Sequence, residues 1–121
     1  MPTVTLVMAA GPGFPGGSPA HRYELDVALD AAGHLDARAW QTDPRPWVAR
    51  RYWPGEPMLS GEVLYDPDTG WSMRFSPRAD DAGDAPLHEV IRGPALMRPG
   101  DYLTIREPDG AEYSYRIVST G

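Results

Sequence analysis

The 121-residue chain contains no cysteine, no lysine and no asparagine. Without Cys there can be no disulfide framework, zinc finger, iron–sulfur cluster or thiol nucleophile. Without Lys, a Schiff base, a Ser–Lys dyad and a P-loop lysine are excluded as well. Any catalysis must therefore come from Asp, Glu, His, Tyr or Ser side chains, or from a bound metal. The heavy use of Arg, Ala, Gly, Pro and Asp is the codon bias of a GC-rich genome.

Basic charge is scarce, since 17 acidic residues face 11 arginines and the net charge is −6. Proteins that bind nucleic acids usually carry a basic patch that neutralises phosphates, and Arg50-Arg51 is too short for one. We therefore expect no nucleic-acid partner and no binding to an anionic membrane surface. The apolar stretch 3–10 lacks the basic start of a signal peptide and is far shorter than a membrane span, which predicts a cytoplasmic protein.

The chain also lacks long apolar stretches, because 14 Pro and 13 Gly divide the apolar residues into short runs. Few segments are free of Pro and Gly for long enough to form a long helix, whereas short strands joined by tight turns fit this spacing of Pro and Gly. Roughly nine strands with alternating apolar residues predict an all-β fold, either a small antiparallel β-barrel or a two-sheet β-sandwich of consecutive hairpins. Residues 1–121 are expected to form one domain, with a Gly/Pro-rich loop over 11–20 and an acidic loop over 77–86.

Three hairpins carry this prediction, and each has an apolar face and an acid–Arg pair on the other face. The first turns at Ala31-Ala32-Gly33, the second at Pro67-Asp68-Thr69-Gly70 and the third at Glu107-Pro108-Asp109-Gly110. The first register pairs Leu29 with Leu35, Val27 with Ala37, Leu25 with Ala39 and Asp26 with Arg38. The second pairs Asp66 with Gly70, Tyr65 with Trp71, Val63 with Met73 and Glu62 with Arg74. The third pairs Ile105 with Tyr113, Leu103 with Tyr115 and Arg106 with Glu112.

Aromatic and Arg side chains give the densest functional signal. Trp and Arg anchor many protein contacts, and Trp also stacks on sugar rings. In the strand predicted over 47–53, Trp47, Arg51 and Trp53 share one face, and Val48, Arg50 and Tyr52 share the other. The alternative is structural, with the Trp rings closing the end of a barrel under Arg stems. The candidate ligand- or partner-binding residues are Trp40, Trp47, Arg50, Arg51, Tyr52, Trp53 and Trp71.

Histidine offers a weaker alternative. His21, His34 and His88 are the three imidazoles, and Glu24, Asp36 and Glu89 lie near them in the sequence. Two His and one carboxylate can hold a metal, but no pair here has the spacing of a local metal-binding motif. We predict no cofactor and no catalytic residue, and keep a site built from the three His as an alternative.

The C-terminal part carries one resemblance. The run from Val90 through Arg98-Pro99-Gly100-Asp101-Tyr102-Leu103-Thr104-Ile105 to Tyr113-Ser-Tyr-Arg-Ile-Val118 is similar to the closing part of small phage head–tail joining proteins. In those proteins an Arg-Gly-Asp-x-Leu-x-Ile strand precedes a hairpin that ends in an aromatic residue and a Val-rich strand. The resemblance covers about a quarter of the chain and implies a structural subunit. The first two thirds depart from the pattern, and no site residue is carried over.

The sequence thus predicts a binding or assembly module that uses an aromatic and Arg surface. A protein, a small molecule or a carbohydrate are the ligand classes that such a surface suits. A head–tail joining subunit and a small His-dependent metal enzyme stay open as alternatives. The oligomeric state is not specified by any pattern in the chain.

Overall fold

The computed structural model describes residues 1–11, 13–75, 85–92 and 97–121. They form a closed antiparallel barrel in which each strand pairs with the next and the last pairs with the first. This confirms the all-β prediction and selects the barrel from the two architectures. The elements are β1 Thr3–Met8, β2 Ser18–Asp26, α1 Ala37–Thr42, β3 Trp47–Tyr52, β4 Leu59–Asp66, β5 Gly70–Phe75, β6 Leu87–Arg92, β7 Tyr102–Arg106 and β8 Glu112–Ser119.

The registers predicted for the second and third hairpins are confirmed. In β4 and β5, Tyr65 faces Trp71 and Glu62 faces Arg74. In β7 and β8, every predicted pair from Leu103–Tyr115 to Arg106–Glu112 is present. Both turns supply a glycine with positive φ, Gly70 at 90° and Gly110 at 89°, where a Cβ would strain the backbone. Strong local turn chemistry therefore fixed both registers.

The first predicted hairpin is wrong beyond Leu35. Leu29 does face Leu35, but as an isolated bridge, and residues 37–42 form α1. The Asp36 side chain accepts a hydrogen bond from the Ala39 N–H at 3.0 Å and so caps a segment rich in good helix formers. A short helix thus takes the place of one of the roughly nine predicted strands, the one that follows the first turn. Among the described residues, no helix has the length and apolar character needed to cross a bilayer.

The Gly/Pro-rich loop is shorter than predicted, because β2 begins at Ser18. Met8 pairs with Ser18 across a register shift that follows Val7. On its other side, β2 pairs with β3 only from Arg22 onward. Pro19 therefore lies where a missing N–H removes no ladder bond to β3. Of the predicted acidic loop over 77–86, residues 77–84 lie outside the described residues.

Inward-facing side chains of all eight strands fill the barrel, as is usual for an eight-stranded barrel. The largest fully buried ones are Trp47, Tyr23, Tyr115, Leu6 and Met73. Gly61 in β4 has a packing role, because a Cβ there would lie 2.0 Å from the carbonyl oxygen of Arg74 in β5.

The two ends of the barrel differ. Because consecutive strands are antiparallel, alternate connections lie at the same end. We call the end with the β2–β3 connection the helix end, since α1 packs there through the Trp40 Nε1–H, which donates to the carbonyl of Val63 at 2.9 Å. We call the opposite end, where β1, β3, β5 and β7 finish, the mouth.

Candidate functional site

The structure divides the predicted binding residues among three places. Trp40, Trp47 and Trp71 lie at the helix end, whereas Arg51 and Trp53 lie at the mouth. Arg50 and Tyr52 lie on the outer face of the barrel wall. The alternation predicted for β3 is confirmed, since Trp47 is buried and Val48 is exposed. The seven residues therefore do not form one continuous surface.

Two of the helix-end tryptophans, Trp47 and Trp71, are built into the core. The Trp47 and Trp71 rings are stacked, with centroids 5.9 Å apart and planes 8° from parallel. Trp47 Nε1–H donates to Asp43 Oδ2 at 2.9 Å, which satisfies its polar atom. The hydrogen bond from the Arg45 backbone N–H, followed by that from Trp47, holds the pKa of Asp43 below its usual range. With exposures of 1% and 9%, Trp47 and Trp71 offer almost no surface to a partner. Their geometry matches the structural alternative, in which Trp rings close one end of a barrel.

On the outer face, Arg50 is held by two carboxylates. Its two terminal nitrogens donate to Asp26, each at 2.9 Å, and its Nε–H donates to Glu24 at 3.1 Å. The hydrogen bonds from Arg50 keep the pKa of Asp26 below its usual range. Arg50 therefore takes the role that the sequence assigned to Arg38, and the predicted Asp26–Arg38 pair is wrong. Tyr52 donates to Glu24 at 3.1 Å. Arg50 and Tyr52 therefore stabilise the outer face of the barrel wall.

At the mouth, four polar side chains meet inside the barrel. Tyr23 lies within hydrogen-bond distance of both Glu107 oxygens, at 3.1 and 3.2 Å, and of His88 Nδ1 at 2.9 Å. His88 Nδ1 also pairs with Glu107 Oε2. Arg51 donates from Nη2 to Glu107 at 3.3 Å and from Nε to the Tyr23 hydroxyl at 3.4 Å. We call Tyr23, Arg51, His88 and Glu107 the mouth cluster.

The mouth cluster is charged and largely shielded from solvent. The side chains of Arg51, His88 and Glu107 are 11%, 9% and 6% exposed. Burial of Glu107 opposes its ionisation, but the hydrogen bond with His88 and the charge of Arg51 outweigh it and lower the pKa of Glu107. Burial, followed by the charge of Glu107, raises the pKa of Tyr23. Glu107 is therefore a carboxylate and Tyr23 a neutral hydroxyl at neutral pH.

Above the mouth cluster lies an open cleft of about 390 Å³. Arg51, His88 and Glu107 lie on its floor, and Trp53 and Tyr113 line it with aromatic rings whose centroids are 5.8 Å apart. The Arg51 guanidinium carbon lies 4.2 Å from the centre of the Trp53 ring, within cation–π range. The rim carries two exposed acids, Glu56 in the β3–β4 connection and Asp109 in the β7–β8 turn. The cleft thus combines aromatic walls with a charged floor.

The three histidines lie in separate surroundings. His21 Nδ1 is 2.6 Å from Ser18 Oγ, and its ring packs edge-on against Trp53. His34 is exposed and lies 3.7 Å from Asp30, not beside the expected Asp36. His88 pairs with Glu107 and not with the expected Glu89. Within the described ranges, no group of three His, Cys, Asp or Glu side chains could hold a metal ion.

The sequence pattern indicates Arg51 and His88 as candidate site residues but not the other two members of the mouth cluster, Tyr23 and Glu107, although a signal for both is present. Glu107 and Tyr23 continue the inward-facing alternation of Leu103 and Ile105 in β7 and of Leu25 in β2. The sequence instead predicts that Glu107 lies in a turn, because Pro108, Asp109 and Gly110 follow it. No local pattern shows that these residues meet, because Tyr23 and Glu107 are 84 positions apart.

Chemically, the mouth cluster can hold and orient a ligand. His88 Nδ1 is within hydrogen-bond distance of Glu107 and Tyr23. The other ring nitrogen, Nε2, is therefore the one that can bond to a group entering the cleft. Trp53 and Tyr113 can stack on a ring or a planar group. No family model matches this chain, and neither a curated protein nor a solved structure matches it.

Proposed function

We propose that this protein is a non-catalytic binding or assembly module, and that its contact surface is the mouth of the barrel. Of the residues predicted from the sequence, Arg51 and Trp53 belong to this surface. Glu107, His88 and Tyr113 join them there. The cytoplasmic location predicted from the sequence is part of the same proposal.

The mouth cluster is the observation that carries the proposal. Moving a carboxylate and a guanidinium out of water costs several kcal/mol per ion, and apolar side chains of similar volume would often stabilise the fold as well or better. Here such a pair lies directly beneath an open cleft, where Glu107 is 6% exposed. Buried charges of this kind concentrate at functional sites because they recognise polar groups in a low dielectric.

The aromatic walls support the same reading. Trp53 and Tyr113 are half-buried, and their rings are held by neighbours, since His21 packs edge-on against Trp53 at 4.3 Å. A ring that is already immobilised loses little conformational entropy when a ligand stacks on it. Proteins, small aromatic molecules and sugars are therefore the ligand classes that this cleft suits.

The test is a screen of small aromatic, sugar and peptide fragments by two-dimensional NMR of the labelled protein. We expect shift changes that concentrate on Arg51, Trp53, His88 and Tyr113. Trp53→Ala should weaken fragment binding at the mouth at least tenfold, because it removes one aromatic wall.

Trp40→Ala is the matched control, because it removes the same side chain from the helix end and should leave fragment binding unchanged. A dispersed wild-type-like spectrum shows that each variant is folded. Binding that maps to another surface, or is equally weakened by Trp40→Ala, would overturn the proposal. Assembly into rings in light scattering, with no fragment bound at the mouth, would support a head–tail joining subunit instead.

A further inference from the structure

We infer that the mouth receives a cationic group, the guanidinium or ammonium of a basic peptide segment. This inference rests on the proposed function and names the ligand class of the same cleft. It follows from the charge of the cleft, from the aromatic walls and from the way in which the protein's own Arg51 is held there.

The charged groups of the cleft are unbalanced. Glu56, Glu107 and Asp109 are acidic, and Arg51 is their one permanent cationic counterpart among the described lining residues. Arg51 is committed to the floor, where it bonds to Glu107 at 3.3 Å. The rim carboxylates face water, and the Glu56 side chain is 54% exposed. A cation entering the cleft would meet two exposed carboxylates, Glu56, which is shared with Arg51, and Asp109, which also accepts the Ala111 N–H.

Arg51 shows that the lining accommodates a guanidinium. Its charge lies over the Trp53 ring at 4.2 Å and bonds to Glu56 at 3.2 Å as well as to Glu107. Tyr113 and Asp109 also line the cleft and offer the same two features, an electron-rich ring and a carboxylate. A second guanidinium or an ammonium would find equivalent partners there.

An anionic ligand fits the cleft less well. It would have to displace Glu56 from Arg51 and would then lie near Glu107 and Asp109. The net charge of −6 would also slow the approach of an anion and speed that of a cation. Electrostatic complementarity therefore selects a basic partner.

The experiment compares three capped tripeptides by NMR titration of the whole protein, with Arg, citrulline or Glu between two glycines. Citrulline keeps the shape of Arg and lacks its charge. We expect the Arg peptide to shift Trp53 and Tyr113 and to bind roughly threefold to tenfold more tightly than the citrulline peptide, with the Glu peptide weakest. The preference should disappear in about 1 M salt, where the screening length is about 3 Å.

Glu56→Gln and Asp109→Asn should each weaken binding of the Arg peptide roughly threefold and leave the citrulline peptide unaffected. Asp68→Asn is the matched control, since it removes one negative charge from an exposed turn at the helix end. It should leave all three affinities unchanged.

The outcomes separate this inference from the proposed function. If fragments bind at the mouth but Arg and citrulline peptides bind equally, or the Glu peptide binds best, the cationic ligand class is wrong and the binding module stands. If neither fragments nor peptides bind at the mouth, the proposed function itself fails.

Discussion

The sharpest prediction concerns Glu107→Gln, which removes the charge of one member of the mouth cluster and keeps its shape. Arg51 then keeps a positive charge with 11% exposure, and the one carboxylate left beside it in the described ranges is the exposed Glu56. Removing one partner of a buried ion pair typically costs 3–5 kcal/mol, and the amide oxygen that is left can still accept a hydrogen bond. We therefore expect the free energy of unfolding to fall by about 3 kcal/mol.

For a domain of this length, 1 kcal/mol corresponds to a change of about 4 °C in Tm, so the variant should melt about 12 °C below the wild type. Calorimetry measures the change in Tm, and urea unfolding followed by Trp fluorescence measures the change in the free energy of unfolding independently. Glu62→Gln is the control, because the Glu62–Arg74 pair lies on the wall with side chains 30% and 26% exposed. It should cost less than about 1 kcal/mol.

The same variant should change the acid stability. The pKa of Glu107 is lower in the folded protein than in the unfolded chain, so its contribution is fully present above about pH 4.3 and is lost as the pH falls through the folded pKa. The wild type should therefore lose stability in this acid range more steeply than Glu107→Gln.

A double variant, Arg51→Met with Glu107→Met, tests whether the unpaired charge of Arg51 causes the loss of stability in Glu107→Gln. With both ions gone, no buried charge is left unpaired, and the double variant should be more stable than Glu107→Gln. If Glu107→Gln melts within about 2 °C of the wild type, or if the double variant is the least stable of the three, the reasoning about the mouth cluster is refuted.

Three further predictions concern the rest of the barrel. Gly61→Ala places a Cβ 2.0 Å from the Arg74 carbonyl oxygen, so it should cost about 3 kcal/mol or more in urea unfolding; a cost under about 1 kcal/mol would show that β4 and β5 separate easily. Asp36→Ala removes the bond to the Ala39 N–H and should lower stability by about 1 kcal/mol, with faster amide exchange confined to α1. Burial, followed by the charge of Arg51, lowers the pKa of His21, so acidification below about pH 6.5 should destabilise the wild type. In His21→Phe this part of the slope of Tm against pH should flatten, and an unchanged slope would assign it to another group.

The sequence by itself determined the fold class and two of the three hairpins. In those two, apolar alternation, acid–Arg pairing and a glycine at positive φ all specify one register, as for Glu62–Arg74 and Arg106–Glu112. These signals act over a few residues and need no distant partner. Where local signals conflicted, as after Leu35, the Asp36 cap and the helix-forming Ala residues prevailed over an alternation that also suited a strand.

Tertiary structure alone decided which chemistry the residues share. Closing the barrel brings Tyr23 of β2 to Glu107 after β7 and gives Asp26 the partner Arg50 instead of Arg38. The extended β3 by itself places Trp47 and Trp53 about 20 Å apart. Closure decides what each ring meets at its end of the barrel, Trp71 for Trp47 and Tyr113 for Trp53. Strand tilt and barrel closure are properties of all the strands together, so no local pattern records which inward side chains meet at the mouth.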